Sequence, residues 1–112
     1  MILYHYPKCS TSRKALKYLE DKGLSPEIRL YMKDNMEKKE LVELLNTLGV
    51  SPIKILRTNN SVYKEQIAGK DLSDKELIDL MIEHPGIIQR AILVNGNKAV
   101  LARPIENMEE IL

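Results

Sequence analysis

The apolar positions of the chain fall into short blocks whose spacing changes along its length. Ile2-Leu3-Tyr4 is a brief apolar run that reads as a buried strand. A turn follows through Tyr6-Pro7-Lys8, and then Ala15, Leu16 and Leu19 recur at helical spacing. Ser10, Thr11 and Ser12 are each able to cap the start of that helix, and Gly23 is placed to stop it. Pro26 leads into Glu27-Ile28-Arg29-Leu30-Tyr31, which alternates as a strand does. A strand, a helix of about three turns and a second strand predict a βαβ unit with parallel strands and a right-handed crossover.

The middle of the chain is helical by the same reasoning. Leu41, Leu44, Leu45 and Leu48 share a helix face after the polar Asp34-Asn35, and Gly49 ends the run. A short helix is expected after Pro52, carrying Ile53 and Leu56, and another over Ser61 to Ile67. Ser73 and Glu76 have capping-box spacing ahead of Leu77, Ile78 and Met81, with Pro85-Gly86 as the stop. Near the end, Ile92-Leu93-Val94 and Ala99-Val100-Leu101 flank Asn95-Gly96, which predicts a hairpin turning at those two residues. Pro104 suits the first turn of a closing helix that holds Met108, Ile111 and Leu112. The order βαβ, helical insert, ββα predicts a single α/β domain over residues 1–112 with a mixed four-stranded sheet.

Composition narrows the function. Seventeen basic and sixteen acidic residues leave a net charge of +1, without the basic excess that nucleic acid or anionic membrane would attract. No apolar run approaches the ~20 residues of a spanning helix. Met1 to Tyr6 lacks the length and charged flank of a signal peptide, so a cytoplasmic protein is expected. Cys9 is the only cysteine, which excludes a disulfide framework and a zinc site built by cysteines alone; no metal is expected.

That thiol falls between a strand and a helix. Unpaired N–H groups and the positive end of the helix dipole favour a thiolate there, and the same N–H groups from Ser10 to Ser12 are able to hold an oxyanion. Position alone does not separate this reading from a small buried side chain beside a helix cap. His5 has two readings as well, a partner or charge source for the thiolate and a satisfied strand-end histidine. His84 before Pro85 reads as a helix-end residue. Arg57, Arg90 and Arg103 each fall where an apolar element meets the next segment. Together they would form a guanidinium clamp for an oxyanion, and separately they are surface arginines whose stems cover core.

The stretch His5-Tyr6-Pro7-Lys8-Cys9-Ser10-Thr11-Ser12-Arg13 resembles the active-site segment of the glutaredoxin-coupled arsenate reductases, the ArsC-like proteins. Leu56-Arg57-Thr58-Asn59, Ile88-Gln89-Arg90 and Ala102-Arg103-Pro104 resemble the three arginine segments of that family, in the same order. The resemblance implies a thioredoxin-like fold with a helical insertion. It also implies that Cys9 attacks arsenate while Arg57, Arg90 and Arg103 hold the oxyanion. His5 and Ser12 then match residues that assist the thiol, and Ser10 and Thr11 belong to the turn that cradles the anion. No bound cofactor is implied. Glutathione serves as co-substrate and a glutaredoxin-like protein as partner.

One position departs from the family. The reductases carry proline after the second arginine, whereas here Arg90 precedes Ala91. A cis bond before alanine costs about 2.5–4 kcal/mol, so a trans bond is expected unless packing forces otherwise, with Arg90 re-aimed or more mobile and the clamp weakened. Two alternative functions share the fold. A transcription regulator of the related Spx type, binding RNA polymerase, commonly uses Cys-x-x-Cys as a switch, but the second position here is Ser12. A related thiol oxidoreductase acting on another substrate is the other alternative. In either enzyme a single cysteine requires an external thiol to complete a redox cycle.

Overall fold

The computed structural model describes residues 1–112. In chain order the elements are β1 (Ile2–Tyr4), α1 (Ser10–Asp21), β2 (Glu27–Arg29), α2 (Lys38–Leu48), α3 (Ser61–Gln66), α4 (Asp74–Glu83), β3 (Ile92–Asn95) and β4 (Lys98–Leu101). Short 3-10 helices occupy Pro52–Ile55, Pro85–Ile87 and Ile105–Ile111. The chain divides into two compact units, one of residues 1–33 with 90–112 and one of residues 34–89.

The first unit holds the sheet. Its strands run in the order β2-β1-β3-β4, with β1 parallel to β2 and antiparallel to β3, and β3 antiparallel to β4. This is the mixed four-stranded α/β arrangement expected from the βαβ and hairpin patterns. Leu3 and Leu93 face each other across β1 and β3, and they form a buried core with Ala15, Leu19, Ala91, Ala102 and Met108. Because Ala15 and Leu19 lie four positions apart, α1 presents one apolar stripe to that core.

Three local expectations are corrected here. β2 ends at Arg29 rather than Tyr31, because Leu30 begins a turn closed by the Lys33 N–H on its carbonyl at 3.1 Å. The hairpin turns at Gly96-Asn97, one residue later than expected, since Asn95 still pairs with Lys98. Gly96 has φ +64° and no residue other than glycine has positive φ, so only the first turn position needs glycine, as in a type II′ turn. The closing helix is 3-10 rather than α, with Pro104 just before it and Met108 buried.

The second unit is helical. Helix α4 packs against α2 and against the 3-10 helices at Pro52–Ile55 and Pro85–Ile87. Gly49 caps α2 with φ +70°, the left-handed conformation that favours glycine. Ser73 and Glu76 make the expected reciprocal capping box at the start of α4. No helix of the protein is long and apolar enough to cross a membrane.

Candidate active site

Cys9 occupies the N-cap of α1 with φ −96° and ψ 123°. The cap is therefore the cysteine itself and not one of the hydroxyl residues that follow it. Its turn is pinned by three hydrogen bonds. Cys9 N–H donates to the Tyr6 carbonyl at 3.0 Å, Arg13 N–H to the Cys9 carbonyl at 3.0 Å, and Arg13 Nη1 to the Pro7 carbonyl at 2.7 Å.

Partial burial alone pushes the Cys9 thiol pKa up. It is outweighed by the Ser12 N–H, a hydrogen bond from the Arg90 side chain, the Thr11 N–H and the positive charge of Arg90, which bring the value down to about 7. Cys9 makes no side-chain cap hydrogen bond of ordinary geometry. The two backbone N–H groups act instead as loosely aimed dipoles around a large sulfur. The thiol is free and only partly buried, so about half of it is a reachable thiolate near neutral pH.

Arg90 is the charged neighbour of this sulfur. It is 7% exposed, and its guanidinium carbon lies 4.7 Å from the centroid of the Tyr6 ring. Its Nε and Nη1 are buried and have no hydrogen-bond partner. Buried N–H donors are almost always paired, so this guanidinium is incomplete without an acceptor. The Arg90–Ala91 peptide bond is cis, contrary to the trans expectation. Tertiary packing surrounds it: Ala91 is fully buried at the entry to β3 and its carbonyl accepts the Ala102 N–H at 2.8 Å. Arg90 is buried and acts on the Cys9 thiol, contrary to the expectation that it is re-aimed or more mobile. Arg103 is exposed and its Nε donates to the Arg90 carbonyl at 3.1 Å, fixing the backbone behind the guanidinium.

His5 is buried, and its Nδ1 lies 2.7 Å from Ser12 Oγ, which also accepts the Tyr6 N–H at 3.0 Å. Burial lowers the His5 pKa, and the charge of Arg13 lowers it further. The imidazole is therefore neutral at neutral pH, and the positive charge near the thiolate comes from Arg90. Ser12 is fully buried and faces the sulfur through its N–H, while its hydroxyl faces His5. Thr11 contributes an N–H, and Ser10 is exposed at the first position of α1.

Arg57 belongs to the helical unit. Its N–H donates to the Ile87 carbonyl at 2.7 Å and its Nη1 to the Gly86 carbonyl at 3.2 Å. The neighbouring Leu56 bridges to Ile88 in antiparallel fashion. Nowhere do three His, Cys, Asp or Glu side chains gather in a way that could hold a metal ion.

Tyr6 is the site residue that sequence reasoning missed. Its aromatic ring three positions before Cys9 was the one signal for it, but its partner Arg90 lies far away in sequence.

Fold and site define a thioredoxin-like thiol protein, with one cysteine at a helix N-terminus and a guanidinium beside it. The ArsC family model matches residues 4–111, and the chain belongs to the ArsC family. It is 40% identical to an arsenate reductase of Haemophilus influenzae, over all of this chain and 98% of that protein. It is also 36% identical to the Escherichia coli protein YfgD, described as uncharacterized, over 98% of this chain and 94% of that one. A solved arsenate reductase from Vibrio cholerae superposes with a TM-score of 0.93 at 38% identity, covering 99% of this chain and 96% of the other. Relatives with and without an assigned reaction are about equally similar, so the chemistry of the site has to carry the functional reading.

Proposed function

We propose that this protein reduces arsenate to arsenite through a cysteine–arsenic adduct, using external thiols as the reductant. The observation that carries the reading is the pair Cys9 and Arg90: a thiol whose pKa is lowered to about 7, in part by a buried guanidinium with two unpartnered N–H groups. A nucleophile and an oxyanion receptor are thereby adjacent. In this reading Cys9 is the nucleophile and Arg90 the principal oxyanion ligand. Arg57 and Arg103 supply further guanidinium charge, and Ser10, Thr11 and Ser12 line the anion side of the turn. His5 and Ser12 hold that turn in place.

The steps balance with two added thiols. The Cys9 sulfur bonds to the arsenic of arsenate and displaces one oxygen, which leaves as water. A small thiol, of which glutathione is the proposed example, then bonds to the same arsenic with loss of a second water. A second thiol, from a glutaredoxin-like protein, attacks the sulfur of the small thiol and gives up its proton to an arsenic oxygen. The two external thiols leave as a mixed disulfide, and the electron pair of the broken arsenic–sulfur bond stays on arsenic, which is now trivalent. Water then cleaves the bond to Cys9, releasing arsenite and regenerating the free thiol. Both reducing thiols come from outside because Cys9 is the only cysteine, which suits a reducing, cytoplasmic setting. Phosphate shares the shape and charge of arsenate, so selection rests on the thiolate displacing oxygen at arsenic.

The test is NADPH-coupled arsenate reduction with glutathione, glutaredoxin and glutathione reductase. The native chain is expected to turn over, and Cys9→Ser to fall to background. Equal rates would end the reading.

A further inference from the structure

Three carbonyls of the bend that leaves β4 are held by one residue, Asn107, which takes no part in the proposed chemistry. Its side-chain amide donates to the Leu101 carbonyl at 3.2 Å and to the Arg103 carbonyl at 3.0 Å, and its backbone N–H donates to the Pro104 carbonyl at 3.0 Å. We propose that Asn107 is a positioning residue: it fixes the backbone of Arg103, so that Arg103 braces Arg90 in its place over Tyr6. The assignment rests on the reading of Arg90 as the principal oxyanion ligand beside Cys9.

The bend needs such a residue because the closing helix is 3-10. In an α-helix the N–H at position 107 would reach back four residues to the Arg103 carbonyl. In the tighter winding it goes to Pro104 instead. The Arg103 carbonyl loses that donor, and the Asn107 amide, which carries two N–H groups, serves it and Leu101 together. The amide has a firm mount. Met108, the next residue, is fully buried in the core that also holds Ala91 and Ala102.

From Asn107 the contacts run unbroken to the reactive turn. Arg103 is exposed, so the direction of its long side chain is decided at its backbone, and its Nε donates to the Arg90 carbonyl at 3.1 Å. Beside that bond the Ala102 N–H donates to the Ala91 carbonyl at 2.8 Å, so two successive residues of each segment are tied. Arg90 lies over the Tyr6 ring, and the Tyr6 carbonyl accepts the Cys9 N–H. Two nitrogens of Arg90 have no hydrogen-bond partner. Its aim therefore depends on the ring beneath it and on the backbone behind it, and Asn107 acts on the second.

The experiment reads the pH profile of Cys9 alkylation in the full chain, together with protection of the thiol by phosphate. Asn107→Ala removes the amide, and Asn107→Leu keeps its branched shape without a donor. In both, the inflection is expected to rise from about 7 part of the way to the ordinary ~8.5, with phosphate protecting about two- to tenfold more weakly. Adding Asn107→Ala to Arg103→Ala should change neither readout further, because the two act through one contact. Glu109→Gln is the structural control. Glu109 lies on the same helix and pairs with Tyr18 and Lys22 at the end of α1, so its loss loosens the helix without touching Arg103. Its inflection should stay near 7. Unmoved inflections or undiminished protection in both Asn107 variants, an equal rise in Glu109→Gln, or a further rise in the double variant would each overturn the proposal. None of these measurements needs arsenate. A native chain without turnover but with the expected inflections would count against the reductase reading, and turnover with unmoved inflections would count against this one.

Discussion

The guanidinium of Arg90 rests on the ring of Tyr6, 4.7 Å from its centroid, while the same side chain lowers the pKa of the Cys9 thiol. An aromatic face thus orients the charge that activates the nucleophile. A buried cation–π contact contributes about 0.5–2 kcal/mol. Tyr6→Ala is therefore expected to lower kcat/KM for arsenate by roughly 2- to 30-fold and to raise the Cys9 pKa, whereas Tyr6→Phe keeps both. Steady-state kinetics of the two variants, with the pH profile of Cys9 alkylation, checks this. Equal losses in Tyr6→Phe and Tyr6→Ala would assign the effect to the phenol hydroxyl instead.

Alkylation of Cys9 reports the thiolate directly. With a pKa of about 7, the rate with iodoacetamide should be half-maximal near pH 7, falling below it and reaching a plateau above. Arg90→Ala removes a hydrogen bond and a positive charge that favour the anion, so the inflection should move up toward the ordinary ~8.5. An unmoved inflection would leave the depressed value to the Ser12 and Thr11 N–H groups alone.

The His5–Ser12 pair makes a different kind of contribution. Ser12→Ala strands the Tyr6 N–H and His5 Nδ1 in a buried site, at a cost of about 1–3 kcal/mol in stability. The thiol pKa should stay near 7, because the sulfur meets the Ser12 N–H and not its hydroxyl. Urea unfolding together with the alkylation profile separates the two effects. A large pKa rise in Ser12→Ala would place the hydroxyl on the sulfur.

Linkage gives His5 a sign. Its folded-state pKa lies below the ordinary value, so the folded chain binds a proton there less readily than the unfolded chain. The stability it contributes is complete above the unfolded pKa of about 6.5 and is lost as pH falls through the lower folded value. His5→Asn removes that titration. The urea midpoint of the native chain should drop more steeply than that of the variant as pH falls below about 6.5. Parallel slopes would show that other groups carry the acid sensitivity.

Where local pattern and tertiary structure agree, the fold was legible. The helical stripe of Ala15 and Leu19, the Gly49 stop and the Ser73–Glu76 capping box each depend on residues within about two turns of one another. The hairpin slipped by one residue because both Asn95-Gly96 and Gly96-Asn97 are good turn pairs, and cross-strand pairing of Asn95 with Lys98 decides between them. The candidate site was legible in its residue types and not in its geometry. That Cys9 is itself the cap, that His5 meets Ser12 and that Arg90 lies over Tyr6 all follow from long-range packing. The cis bond at Arg90–Ala91 shows the same limit, since alanine carries no local signal for it.

The two unpartnered N–H groups of Arg90 lead to a prediction about ligand protection. An oxyanion bound there would gain charge-assisted hydrogen bonds from a guanidinium already buried and held in place, at little ordering cost. Phosphate has the same tetrahedral form as arsenate and cannot be reduced by thiols, so it should bind without turnover and slow Cys9 alkylation in a saturable way. Arg90→Lys keeps the charge but replaces the planar fork with a single ammonium, and it should weaken protection by about tenfold. Arg90→Ala should abolish it. Chloride at matched ionic strength serves as the control for screening. If chloride protects as well as phosphate, or if Arg90→Ala is protected like the native chain, the guanidinium beside Cys9 is not an oxyanion receptor.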